Sequence, residues 1–480
     1  MKDVVLDYGD TKTTVQLPDE ALVVRYKETY NDPPPVDPYE ETRKALQSPL
    51  GIKPLKEMAG PDKKIVIGFP DRVKGGFHKD SHRKVAIPMI VEELLAGGAK
   101  LENITLLCAM GLHRKNDVEE WYQYLGKDIV DQFYPDRLIN HDAEDEKNLL
   151  DFGTDEMGNK VECNRYLAEA DIPIIIGHCA GNPYGGFSGG YKMLVTGHTG
   201  PGSIGSHHRP DTMYRDDWLG ASTTSTMRKQ FTSIGKAIEK NIGKRVFAVD
   251  AVLDQFSRVL KTAAGTIDEV EKATWPLAKK RTNIELKESE PYDVLVMGLP
   301  RNFHYGPGMG TNAILSGLAM GGQLSRAWYA LNDDPVVIVT STFDGWFNKH
   351  WFPSYEETFE SLIKYQNAED FLASHDAKRI AEDYNYRWMY SNSYTYHPFH
   401  AMSMTSGYGI LKQRAKAVIM VGAQAPQYAR TMGYITVGTF EEAKKIAERL
   451  TGKNPRYLAT PECFSGGIPV HLFSKGKRPE

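Results

Sequence analysis

Cysteine is scarce: Cys108, Cys163, Cys179 and Cys463 are the only four in 480 residues, and no two of them form a Cys-x-x-Cys pair. That spacing suits a reducing compartment better than a disulfide framework, and Cys179, next to His178, reads as small buried filler or as a soft metal ligand. Long apolar runs are missing as well. None approaches the roughly 20 residues of a membrane-spanning helix, and MKDVVLDYGD at the start has neither the basic residues nor the apolar core of a secretory leader. A cytoplasmic location is therefore expected. Positive charge is not in excess: 58 Lys and Arg against 62 Asp and Glu leave a net charge of −4. With no basic stripe along the chain, nucleic acid is not an expected partner.

What is present is ordinary globular material, 41% hydrophobic and 25% charged, in a chain long enough for two domains or more. VVLDYGDTKTTVQLP alternates and turns at Gly9-Asp10, the pattern of a hairpin, and Pro33-Pro34-Pro35 then imposes an extended connector before a helix at 39–47. Buried strands are predicted at 64–69, 103–108, 172–177 and 244–250, with helices at 83–96, 213–243 and 266–279, the last interrupted by Pro276. The charged, apolar-poor stretch 280–291 reads as a boundary. Beyond it, strands at 292–300, 335–341 and 416–422 alternate with helices near 354, at 368–384 and at 441–450. The expected fold is α/β, with two domains that each hold a mostly parallel sheet flanked by helices, and an active site in the cleft between them. The domains are drawn as 1–285 and 290–460, with a tail at 461–480 that can return to the N-terminal domain.

Chemistry concentrates in Gly177 to Pro210, GHCAGNPYGGFSGGYKMLVTGHTGPGSIGSHHRP. A buried strand gives out at His178, and the glycines at 185, 186, 189 and 190 remove side-chain bulk, so the backbone can bend sharply and approach a ligand. Lys192 follows against an apolar segment, where an amine can lose solvation and become nucleophilic. Two other strand exits carry polar groups. Asp71 and Lys74 follow 64–69, with His78, Lys79 and His82 just beyond. Gly111-Leu-His113-Arg114 follows 103–108.

Ser188-Gly-Gly-Tyr-Lys192, with histidines before and after it, resembles the core motif of the lactate racemase family, and Gly-Leu-His-Arg is similar to a second motif of that family. The resemblance implies a nickel-pincer nucleotide (pyridinium-3-thioamide-5-thiocarboxylic acid mononucleotide nickel) held covalently at Lys192, with Ser188, Gly189, Gly190, Asp71 and Lys74 around it. His208 matches the nickel ligand, and its neighbour His207 is an alternative on spacing. His113 matches one acid/base group. The other stands ten residues before the lysine in the family, where this chain has Asn182, so either His178 takes that role or the second group is altered. Lys74 stands where the family has an arginine, which keeps a phosphate contact but loses the planar fork.

In the C-terminal half the family's glutamine and lysine, which touch substrate or cofactor, are absent. Gly306-Pro-Gly-Met-Gly310 offers free backbone N–H groups ahead of a helix, and Arg114, His304, Asn312 and Trp388 are candidate substrate contacts; His397 and His400 are further imidazoles near Trp388. The implied activity is a racemase or epimerase, an isomerase inverting C2 of a 2-hydroxy acid other than lactate, such as a larger or sugar acid. It would work by hydride transfer to the cofactor through a 2-oxo acid, with His113 and His178 moving the hydroxyl proton. Cofactor-biosynthesis proteins are the implied partners. Two alternatives stay open: a protein that binds the nucleotide without turnover, and a nicotinamide-dependent oxidoreductase, for which no Gly-x-Gly-x-x-Gly is placed between a strand and a helix with an acid about 20 residues on.

Overall fold

The computed structural model describes residues 1–73, 81–217, 222–303, 305–464 and 470–477. Ile65–Pro70, IVIGFP, is buried at every position, as a strand covered by helices on both faces must be. It lies between Ile104–Ala109 and Ile172–Cys179 in a six-stranded sheet. Across that sheet the order is Val259–Thr266, Phe247–Leu253, Ile172–Cys179, Ile65–Pro70, Ile104–Ala109 and Leu138–Asn140. All neighbours are parallel except the hairpin formed by the first two.

A second sheet is built on Tyr292–Pro300. Leu331–Thr340, Ala417–Val421 and Ile435–Val437 extend it in parallel on one side, and Tyr457–Ala459 joins on the other. The fold is thus α/β with two mainly parallel sheets flanked by helices. The first 23 residues depart from the expected partition at 285. Lys2–Gly9 pairs with Thr11–Leu17 as the alternation predicts, but it also pairs in parallel with Tyr292–Pro300 through Tyr8–Leu299 and Gly9–Pro300. The cause is apolar coverage: Val4, Leu6, Val15 and Leu17 form one buried cluster with Val294, Val296 and Val336. The tail returns to the junction between the halves, where His471–Phe473 pairs with Asn283–Glu285.

Two helix predictions change. Among its described residues, the stretch expected as one helix at 213–243 holds the end of the short helix Pro210–Met213 and the helix Thr226–Ile242, the latter started by Ser225, whose side chain accepts from the Arg228 N–H. The region 368–384 is divided into Ala368–Leu372, His375–Ala381 and Tyr384–Asn392, because Asn367, Ser374 and Asp383 each cap a new N-terminus. Pro276 does not stop its helix, which runs through Ile267–Thr282. In the C-terminal half the helices Ala313–Ala327 and Pro398–Arg414 are buried over most of their length. They cross so closely that a Cβ on Gly321 would lie 2.2 Å from the Gly407 carbonyl oxygen. Among the described residues, no helix is long and apolar enough to cross a membrane.

Candidate functional site

Three adjacent parallel strands deliver polar groups to one end of the first sheet. Asp71 follows Ile65–Pro70, His113 stands four residues past Ile104–Ala109, and His178 is the penultimate residue of Ile172–Cys179. Asp71 is fully buried, and its Oδ2 lies 2.7 Å from His113 Nδ1. A carboxylate oxygen accepts, so Nδ1 carries the ring proton and Nε2 keeps the lone pair. Asp71, expected beside a cofactor, is instead behind the imidazole that it orients, and it does not line the cavity.

The lysine is set by the glycines before it. Gly189 and Gly190 have φ of 77° and 52°, and their side-chain space is occupied by the protein's own acids: a Cβ would fall 2.3 Å from Asp250 Oδ2 and 2.1 Å from Glu271 Oε1. Those acids accept from the Gly190 and Tyr191 N–H groups at 2.8 and 2.9 Å. The close approach that the glycines permit is therefore to buried carboxylates. Burial pushes the Asp250 carboxyl up to about 7, with Glu271 adding to the rise and the Gly190 N–H and Arg228 opposing it. Ser188 fastens the loop by donating to the His178 carbonyl at 2.7 Å.

Lys192 thus begins in a rigid first turn of the helix Gly190–Gly197. Its Nζ donates to the Tyr184 carbonyl at 2.9 Å and stands 5.4 Å from the Phe231 ring centroid. Of the paired histidines, His208 lines the cavity, whereas His207 is fully buried with its ring 4.7 Å from Phe231. His208 Nδ1 donates to the Ile204 carbonyl at 2.9 Å, which leaves Nε2 as its lone-pair atom. His198 is also fully buried, with burial driving its imidazole down to about 3, and it packs against Gly68.

These groups meet in a cavity of about 610 Å³ lined by His113, His178, Lys192 and His208 from the first half and by Tyr305, Arg326 and His400 from the second. His400, which the sequence offers as a further imidazole near Trp388, is one of them. Its ring lies 5.4 Å from that of His113 and 5.1 Å from Tyr305, and its Nδ1 is 2.7 Å from the Tyr355 hydroxyl. Asn182 also lines the cavity, but its Oδ1 accepts from the Tyr184 N–H at 2.8 Å in a local turn.

Several expected contacts are elsewhere. Arg114 is buried, paired with Glu120 and stacked 4.1 Å over the Trp351 ring. Asn312 caps Ala313–Ala327 by accepting from the Leu315 N–H. Trp388 is 53% exposed, and none of these three lines the cavity. The N–H groups expected to be free at Gly306–Gly310 are partly consumed, since Gly308 and Met309 donate to the Arg301 carbonyl. His82 is buried beside Thr42 and Thr262, and His397 reaches Glu144 at 2.5 Å across the two halves. Lys74, His78, Lys79 and His304 lie outside the described residues. Arg326 had no sequence signal, being one arginine at the end of a helix of small residues.

Residues 8–217, which carry Lys192 and all three cavity histidines of the first half, match the lactate racemase N-terminal domain. This segment belongs to the lactate racemase family. The likeness of the chain as a whole is looser. The chain is 25% identical over 301 residues to a lactate racemase of Thermoanaerobacterium thermosaccharolyticum, covering 62% of this chain and 66% of that one. It is also 25% identical over 289 residues to a lactate racemase of Lactiplantibacillus plantarum, covering 59% and 64%. The match spans less than two thirds of the length of either relative. The fold extends further than the sequence likeness: the lactate racemase apoprotein from T. thermosaccharolyticum superposes with a TM-score of 0.72 over 98% of this chain and 100% of that one, at 19% identity. A Thermotoga maritima protein superposes with a TM-score of 0.60 over 93% and 100%, at 15% identity.

Proposed function

We propose that this protein is a racemase or epimerase that inverts C2 of a 2-hydroxy acid other than lactate, using a nickel-pincer nucleotide attached to Lys192. The observation that carries the reading is the convergence of Lys192, His113, His178 and His208 on one cavity. The donor set fits the cofactor. Among the described residues no group of three or more His, Cys, Asp or Glu side chains could hold a metal by itself. His208 lines the cavity with Nδ1 facing the Ile204 carbonyl, and in this reading its other ring nitrogen would be the protein's ligand to the nickel, with the nucleotide supplying the rest. The nucleotide supplies, when bound, an acceptor for the hydrogen and electron pair of C2.

The protein's share is proton handling. His113 Nε2 accepts the substrate's hydroxyl proton, and the imidazolium that results is held by the buried Asp71 carboxylate. Inversion needs an equivalent group for the opposite face. We assign that to His178, because the side chain at the family's position is Asn182, whose amide donates and accepts hydrogen bonds but does not act as an acid or base near neutral pH. Phe231, Met309 and Met404 add apolar surface to the cavity wall. The larger-acid reading is supported by the absence of the family's glutamine and lysine and by the imidazole and hydroxyl groups contributed from the C-terminal half.

The test is to incubate holoenzyme with single enantiomers from a panel of hydroxy acids in deuterated water. Epimer formed with its original C2 hydrogen is the expected result. Deuterium at C2 would replace this mechanism with carbanion chemistry, and no turnover of any acid would favour a nucleotide-binding role.

A further inference from the structure

Arg326 stands in the last turn of Ala313–Ala327 and lines the cavity from the C-terminal half. Besides imidazoles, Lys192 and Arg326 are the two cationic side chains among the described residues that line it. The single carboxylate there is Asp7, which faces Lys12 at 4.0 Å. No carboxylate among the described residues comes within ion-pair distance of the Arg326 guanidinium, and its Nε is enclosed without a hydrogen-bond partner.

The groups nearest to it do not supply a counter-charge. Burial pushes the Tyr184 phenol and the Cys463 thiol each up to about 12, so both are neutral near pH 7. His471, close by, is pushed down to about 3 by burial and by Arg326 and Arg281, so it is neutral too. A guanidinium withdrawn from water without an anion is costly, and an anionic ligand removes that cost. Its location is tied to the lysine through Tyr184, whose carbonyl accepts from Lys192 Nζ and whose ring is a near neighbour of Arg326.

We propose that Arg326 binds the carboxylate of the substrate acid and so fixes which end of the molecule faces the C-terminal half. A single guanidinium matches a carboxylate through two parallel N–H donors. The inference rests on the reading of the substrate as a hydroxy acid, but its test does not pass through the cofactor. Calorimetry near neutral pH and low salt compares glycolate with its uncharged amide, glycolamide, on the full-length protein without cofactor. Wild type is expected to bind glycolate at millimolar concentrations at least about tenfold more tightly than the amide. R326M is expected to lose that preference, and R326K to recover part of it; R326K also decides the matter if R326M fails to fold.

Equal binding of the two compounds, no binding of glycolate by wild type, or an unchanged preference in R326M would overturn the proposal. Inorganic phosphate forms a third arm. Phosphate binding that disappears in R326M while the glycolate preference remains would give the guanidinium to the nucleotide's phosphate and likewise overturn it. A lost glycolate preference alongside an unmodified Lys192 in cofactor-producing cells would sustain Arg326 and sink the racemase reading; the reverse pair of results would do the opposite.

Discussion

Replacing Asp71 by Asn tests whether His113 is an oriented base. The wild-type contact is 2.7 Å, from a carboxylate with no exposed surface to a ring whose side chain is 12% exposed. When His113 takes a proton, its positive charge forms about 4 Å from the carboxylate's charge, an interaction of about 4 kcal/mol at an effective dielectric of about 20. The amide retains part of the hydrogen bond, so a loss near 3 kcal/mol remains. That corresponds to about a 100-fold fall in kcat. KM should change little, because Asp71 does not line the cavity. Nitrogen-15 NMR of the imidazoles supplies a readout without substrate: Nδ1 of His113 is protonated in wild type, and D71N mixes the tautomers because its amide can also donate. A kcat within about threefold of wild type, with Nδ1 still protonated, would refute the reasoning.

Three further substitutions probe the scaffold of the site. G190A places a Cβ at φ 52° and 2.1 Å from Glu271 Oε1, so the fold should lose about 2–3 kcal/mol, read by thermal or urea unfolding. Asp250, ordinarily 3.8, is raised to about 7 mainly by burial; its stabilising contribution is complete below about pH 4 and is lost as pH rises through 7, by at most about 4 kcal/mol. The Tm of wild type relative to D250N should therefore fall between about pH 4 and 7 and level off above, and parallel curves would contradict this assignment. Glu144 has the opposite sign: burial raises its carboxyl, but His397 and Arg387 outweigh burial and hold it below 4.5, so its contribution is present above that value and lost in acid. E144Q should cost about 1–3 kcal/mol near pH 7 and weaken the acid dependence of the Tm.

Several strands covered on both faces were legible, although the buried Val259–Thr266 and Tyr457–Ala459 were not. Tyr292–Pro300 is apolar from Val294 onward, and its bounds coincide with those expected. Lys2–Leu17 was legible as a hairpin but not as part of the distant sheet, because alternation identifies an apolar face and not what covers it. Pro398–Arg414 was not predicted at all. It is buried nearly all round, so it has no polar face to set a helical period. The site divides in the same way. His113, His178, Lys192 and His208 sit in local motifs at strand ends and glycine turns, and all of them line the cavity. Arg326 and His400 reach it from helices more than a hundred residues further along the chain, and Arg326 has no local pattern to mark it. The glycines were visible, yet the carboxylates that fill their space, Asp250 and Glu271, come from later elements that only the fold brings near.

The central claim is that Lys192 carries an organometallic nucleotide whose metal takes His208 as its protein ligand. The most direct measurement is intact mass together with nickel content for protein purified from cells that make the cofactor. The account requires a covalent adduct confined to Lys192 and about one nickel per chain, with both lost in K192A and nickel alone lost in H208A. An unmodified wild-type mass, or an adduct that survives in K192A, would contradict it.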